Sequence, residues 1–197
     1  MINFLIKKYT EPGLTAKREG FTLVETLVAL SIFTLSVLAL MVALGGGLKS
    51  TQFAKSKITA SYLAQEGVEL MRNMRDTFVL YDGGETGWAN FLAHVSECEQ
   101  KGCIFHTEEL NYGNQDQPIT EITLTSCGGN ICPPLYFHEN EGSYDYDATP
   151  PGTVVSQFRR HIRIEVVNPH EARIHSFVFW GEENNSVGFI ENIFDWN

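Results

Sequence analysis

Lys17-Arg18-Glu19-Gly20-Phe21-Thr22-Leu23-Val24-Glu25 opens the part of the chain that decides the fold, because an apolar run to Leu44 follows it directly. From Phe21 to Leu44 there are 24 residues. As a helix they would reach roughly 36 Å at about 1.5 Å per residue, more than the roughly 30 Å hydrocarbon core of a bilayer. Secretory signal cores run to only about 7–15 residues, so the sequence predicts a membrane-spanning helix. The cations precede it, which places the N-terminus in the cytoplasm and everything after Leu44 outside it.

Glu25 is the one charge inside this run. A carboxylate at mid-membrane costs about 2.5–3.5 kcal/mol on insertion scales, and less near the interface. Near the cytoplasmic end Glu25 can reach the headgroups. Packed into a bundle of helices it would need a cation, because an unpaired buried charge is heavily penalised. The plainer reading is a carboxylate that snorkels at the interface.

Outward from this segment, the charge is uneven. The whole chain carries −10, whereas the first twenty residues carry +2, leaving −12 for the rest. An acidic exterior domain excludes the basic face that nucleic-acid binding normally uses. Thr22, Thr26, Ser31, Thr34 and Ser36 soften the apolar run, and hydroxyls are tolerated there because they bond back to helix carbonyls.

Gly45-Gly46-Gly47 comes next, read either as a hinge with locally unwound backbone or as a boundary between membrane segment and linker. Helical character resumes from Leu48 to about Phe78. Leu63, Gly67, Leu70, Met71, Met74 and Phe78 fall at three- and four-residue spacing, one apolar stripe on which a sheet can pack. Asp82–Gly87 reads as a turn-rich stop and Trp88–Val95 as a short helix. From Cys98 to about Gly152 the expectation is loop, with brief strands at Glu121–Thr125 and Leu135–His138 and an acidic turn from Glu139 to Gly152. Then Phe158, Ile162, Ile164 and Val166 alternate with Arg159, His161, Arg163 and Glu165, the mark of a half-buried strand. Arg173–Trp180 and Val187–Phe194 follow across short turns at Asn168–Glu171 and Glu182–Asn185, so the three strands are expected to be antiparallel neighbours. The fold class is α+β.

Gly20-Phe21-Thr22-Leu23-Val24-Glu25, with Leu27-Val28-Ala29-Leu30 behind it, resembles the N-terminal processing and methylation signature of type IV pilins and type II secretion pseudopilins. The resemblance covers roughly Lys17 to Leu44. It implies a leader (1–20), a transmembrane or filament-core helix (21–44), an amphipathic helix continuing into the globular domain (45–80) and an exported loop-rich and antiparallel β domain (81–197). It further implies cleavage between Gly20 and Phe21 by a prepilin peptidase and N-methylation of Phe21. Glu25 would then guide assembly by pairing with the N-terminal amine of a neighbouring subunit. Partners would be that peptidase, other pilin or pseudopilin subunits and the membrane, with no nucleic acid. The family often has a proline inside the helix; none lies between Phe21 and Leu44, and the triple glycine is a possible substitute.

Cys98, Cys103, Cys127 and Cys132 have the spacing C-x4-C twice. Three disulfide connectivities are possible. Local pairing, 98 with 103 and 127 with 132, is favoured over cross-pairing, which would staple more chain. Zinc is the other reading, and export favours disulfides. Glu139, Glu141, Asp145 and Asp147 match no EF-hand spacing and read as a solvated acidic loop rather than a calcium site. The six histidines (94, 106, 138, 161, 170 and 175) form no ligand pair in sequence, although His161 and His175 are expected in adjacent strands, where they could face each other. No nucleophile elbow or phosphate loop occurs. The expected function is a structural, pilin-like and minor subunit without cofactor, metal or catalysis. The alternative is a single-pass, membrane-anchored extracytoplasmic binding protein or enzyme that uses the helix only as a tether.

Overall fold

Helix α1 (Leu23–Asp82) takes up 60 residues without a break. The computed structural model describes residues 20–105, 123–128, 132–181 and 185–195. The leader up to residue 19, His106, the start of the Glu121–Thr125 strand and the 182–184 part of the last turn lie outside the described residues. Gly45, Gly46 and Gly47 are helical, so the backbone there is not unwound, in contrast to the expected hinge. Each glycine costs about 1 kcal/mol against alanine, yet good helix formers flank the triplet and no proline interrupts the chain from Phe21 to Asp82, so propagation from both sides carries it.

The chain divides between Lys49 and Ser50 into two units. In the second, α1 buries Leu63, Gly67, Leu70, Met71, Met74 and Phe78, the whole predicted stripe, together with Ala60, Ala64, Val68, Arg75 and Val79. The turn-rich stop is shorter than predicted. Only Gly83 (φ 80°) and Gly84 (φ 36°) leave helical space, and helix α2 (Gly84–His94) begins at once. Gly87 lies so close to the end of α1 that a Cβ there would come within 2.6 Å of the Val79 Cα. The Trp88 indole donates to the Pro169 carbonyl at 2.7 Å. A 3-10 turn (Val95–Glu97) and helix α3 (Cys98–Lys101) follow.

The main sheet has five antiparallel strands in the order β2-β1-β6-β7-β8: β1 (Cys103–Ile104), β2 (Thr125–Ser126), β6 (Phe158–Asn168), β7 (Glu171–Trp180) and β8 (Asn185–Phe194). The three long strands are those expected from the sequence, each extended by a few residues. Ile164 pairs with Ile174 and Ala172 with Ile193. Their inward side chains, Phe158, Ile162, Ile164, Ile174 and Val178 among them, are buried in the same clusters as the α1 stripe. Each such side chain contributes about 1.5–3 kcal/mol by leaving water.

The stretch from Cys98 to Gly152 holds more regular structure than expected. A three-stranded sheet in the order β4-β3-β5 is built from β3 (Tyr136–His138), β4 (Ser143–Asp145) and β5 (Thr153–Val155). The acidic turn is in part the β3–β4 hairpin, closed by Gly142 N–H donating to the His138 carbonyl at 2.8 Å, with Gly142 at φ 71°. Strands of two or three residues are too short to display a period of two.

Two disulfides join Cys98 to Cys103 and Cys127 to Cys132, and no cysteine is free. All four are buried. The first ties α3 to β1, and β1 pairs with both β2 and β6.

Candidate functional site

Gly20 and Phe21 precede α1 in non-helical backbone, and both are exposed, Phe21 to 74%. A solvent-reachable, non-helical Gly–Phe bond next to a helix start is a geometry that a peptidase can engage. Thr22 is the N-cap of α1: its hydroxyl accepts a hydrogen bond from the Glu25 backbone N–H at 3.2 Å. Thr22-Leu23-Val24-Glu25 therefore has the capping-box pattern, with Glu25 at the third helical position. Sequence reading assigned Glu25 to assembly and missed this local role, although the S/T-x-x-E signal was present in the chain. A carboxylate in the first turn also opposes the positive end of the helix dipole, worth about 0.3–1 kcal/mol.

Behind this cap, the first unit presents apolar side chains all round, with Leu23, Leu27, Leu30, Phe33, Leu38 and Met41 among those exposed. Its hydroxyls are turned inward on the helix. Thr26, Ser31, Thr34 and Ser36 donate to the carbonyls of Leu23, Val28, Ser31 and Ile32 at 2.8–2.9 Å. A helix whose hydroxyls bond to its own backbone suits lipid or a bundle of similar helices. One described helix is long and apolar enough to cross a membrane, reaching a mean hydropathy of 2.7.

The other predicted residues serve the fold of the second unit. His161 and His175 do not face each other: His161 pairs in register with Phe177, and His175 with Arg163. Instead His161 lies 3.1 Å from the Lys101 carbonyl and His175 lies 2.9 Å from Glu165. The hydrogen bond from His175, with Arg173 and Arg163 nearby, holds the Glu165 carboxyl below its usual range. His170 is raised above its ordinary value by its hydrogen bond to Asp195 at 2.5 Å and by that carboxylate's charge. In the acidic loop, Asp145 accepts from the Asp147 N–H at 3.0 Å and Asp147 from the Thr149 N–H at 2.8 Å, so both brace turns. His138 is buried and lies 3.0 Å from the Asp147 carbonyl.

Arg160 carries no sequence signal beyond sitting on the apolar parity of its strand. It is fully buried, 3.1 Å from Glu66 on α1, with its guanidinium 4.8 Å from the Phe105 ring centre. The Tyr146 hydroxyl donates to its carbonyl at 3.0 Å, and burial raises that phenol above its usual range. Arg72 likewise bridges Glu69, at 2.7 Å, and Glu191 on β8.

A family model described as the prokaryotic N-terminal methylation motif matches residues 15–44. No curated protein and no solved structure matches the chain. The matched residues contain the exposed Gly20–Phe21 bond, the Thr22–Glu25 cap and the apolar run to Leu44. Such a motif implies processing by a prepilin peptidase and assembly with other pilins, and the long helix followed by antiparallel sheets has the layout of a pilin. Residues 15–44 thus match a prokaryotic N-terminal methylation motif, and the α+β frame behind them has a layout like that of a type IV pilin.

Proposed function

We infer that the chain is a minor structural subunit of a type IV pilus or of a related secretion or competence pseudopilus. Prepilin peptidase removes residues 1–20, Phe21 becomes the methylated N-terminus, and the subunit waits in the cytoplasmic membrane as a single span with its second unit outside. Assembly moves the apolar helix from lipid into a filament core. Glu25 is then paired with the terminal amine of an adjacent subunit, which removes the penalty on a buried carboxylate. The chain is a substrate of processing enzymes and catalyses nothing itself. The observation that carries this reading is the conjunction of an exposed Gly20–Phe21 junction and the Thr22 cap with an apolar helical run to Leu44 whose single acid stands in the first turn. Minor status is supported by the loop-rich domain with two disulfides, which suits a tip or a specialised position.

N-terminal mass spectrometry of the natural protein tests the processing. The expected product begins at methylated Phe21, and a chain that keeps its first twenty residues would overturn the reading. Glu25→Leu separates assembly from tethering. In a filament subunit this variant is still cleaved but fails to enter filaments. In a protein that uses the helix only as a tether it changes nothing, and normal incorporation would refute the role of Glu25.

A further inference from the structure

The outer face of the main sheet, turned away from α1, does not share the acidity of the rest of the chain, which carries −12 beyond residue 20. Arg159 stands opposite Phe179, His161 opposite Phe177 and Arg163 opposite His175. Their neighbours along the strands, Arg160, Ile162 and Val178 among them, are buried, so alternation puts these six on the outer face. The β8 positions beside them are Ser186, Gly188 and Ile190. No carboxylate stands in these three rows. The first one, Glu165, lies a row further on and is already held by His175 at 2.9 Å and Arg173 at 3.6 Å. Among the described residues Arg163 makes no direct ion pair, and Arg159 reaches only the Cys132 carbonyl, at 3.2 Å.

Aromatic rings stand beside these cations. Phe177 and Phe179 are 6.5 Å apart at their ring centres and inclined by only 25°. A Cβ on Gly188 would come within 2.3 Å of the Phe177 ring, so that ring lies over bare β8 backbone, and a side chain at 188 would displace it. Phe179 is 37% and Ile190 57% exposed. The face thus offers two nearly parallel rings on β7, with two uncompensated guanidiniums alongside on β6.

We propose that this face binds single-stranded nucleic acid, with bases stacked on Phe177 and Phe179 and phosphates paired with Arg159 and Arg163. The occupant has to bring flat apolar surface and negative charge in alternation. A single strand carries one base and one phosphate per unit, and its unpaired bases stack on aromatic side chains whatever the sequence. An acidic peptide supplies carboxylates without the flat faces, and a duplex hides the faces of its bases. A second copy laid face to face would set Arg159 and Arg163 against like charges. Net charge alone pointed away from such a partner. Strand register, which the sequence left open, reverses that inference by gathering the few cations on one face. At about 0.15 M salt, charges more than about 8 Å away are largely screened, so the nearby guanidiniums outweigh the distant acids. The proposal holds whether or not the N-terminal helix enters a filament.

The test uses the full chain in non-ionic detergent micelles and a fluorescent oligothymidine of about twelve nucleotides. Anisotropy should give a Kd of roughly 10–100 µM at about 0.1 M salt, within the range of sequence-independent binding, and weaker binding as salt rises. An abasic strand of the same length keeps every phosphate and should bind roughly tenfold more weakly, because it has nothing to stack. Polygalacturonate, an acidic polysaccharide, should compete no better than the abasic strand. Phe179→Ala should cost roughly tenfold and Phe179→Trp should restore the affinity, a recovery that damage to the fold cannot give. Arg163→Glu should weaken the binding of both strands. No binding at about 1 mM, equal affinity for the two strands, or tighter binding of a duplex or of polygalacturonate than of oligothymidine would each overturn the proposal.

Discussion

Glu25 combines two roles that substitution can separate. Its backbone N–H is held by Thr22, and its side chain supplies the negative charge of the first helical turn. Glutamine preserves the capping-box pattern without the charge, whereas leucine removes both. Glu25→Gln should therefore keep the helix start intact, read by the amide shifts of residues 22–26, and still be excluded from sheared filament fractions. Incorporation of the glutamine variant at the natural level would show that neighbours use something other than the charge. Arg160 poses the corresponding question in the core. Removing one partner of a buried pair costs about 3–5 kcal/mol, and Glu66 retains some access to water, so Arg160→Met should lose about 3 kcal/mol, seen as a lower urea midpoint with the slope unchanged. His170 titrates above its ordinary value because protonation strengthens its bond to Asp195. The sign follows: that link stabilises the fold fully below about pH 6.5, the ordinary histidine value, and its contribution disappears as pH rises through the raised pKa. An NMR titration should place the His170 midpoint above that of an unperturbed histidine, and Asp195→Asn should bring it back down.

Among the elements, α1 holds the least expected feature, a helix that runs through three consecutive glycines. A Cβ added at Gly45, Gly46 or Gly47 would meet nothing within 4 Å among the described residues, so no close approach requires them. Replacing all three with alanine should favour the helix by about 1 kcal/mol per position and slow amide exchange there. Unchanged exchange would mean that the triplet is already as rigid as its flanks. At this scale the sequence was readable wherever a pattern lasted long enough. The Leu63–Phe78 stripe and the alternation of β6 each span several periods, and both appear in the structure where they were read, apart from Val166, which is exposed. The start of α2 was not readable, because Gly83, Gly84 and Gly87 look alike in sequence: the first two break the helix, while the third lets two helices touch. Register was not readable either. The sequence put His161 and His175 in adjacent strands but left open which residues stand opposite them. The Thr22–Glu25 cap could have been found from its spacing, but the cost of a lone acid in lipid drew the reading elsewhere.

For the molecule as a whole, the division at Lys49–Ser50 predicts that residues 50–197 fold by themselves when the cysteines can oxidise. Buried residues begin only at Ala60. Such a fragment should be soluble without detergent and melt cooperatively by circular dichroism; failure to melt as one transition would show that the first unit supports the second. Each disulfide closes a loop of five residues, worth about 2 kcal/mol by chain entropy, so reduction should lower the melting point.

Arg72 and Glu191 meet across 119 residues of chain. The stripe of α1 that the core uses is synthesised long before β8, which covers its flank. Contacts so distant along the chain form slowly, since a large loop has to close first. During that interval Met71, Met74 and Phe78 lack the strands that bury them, so the chain's most vulnerable moment is the delay between the arrival of its first half and its last.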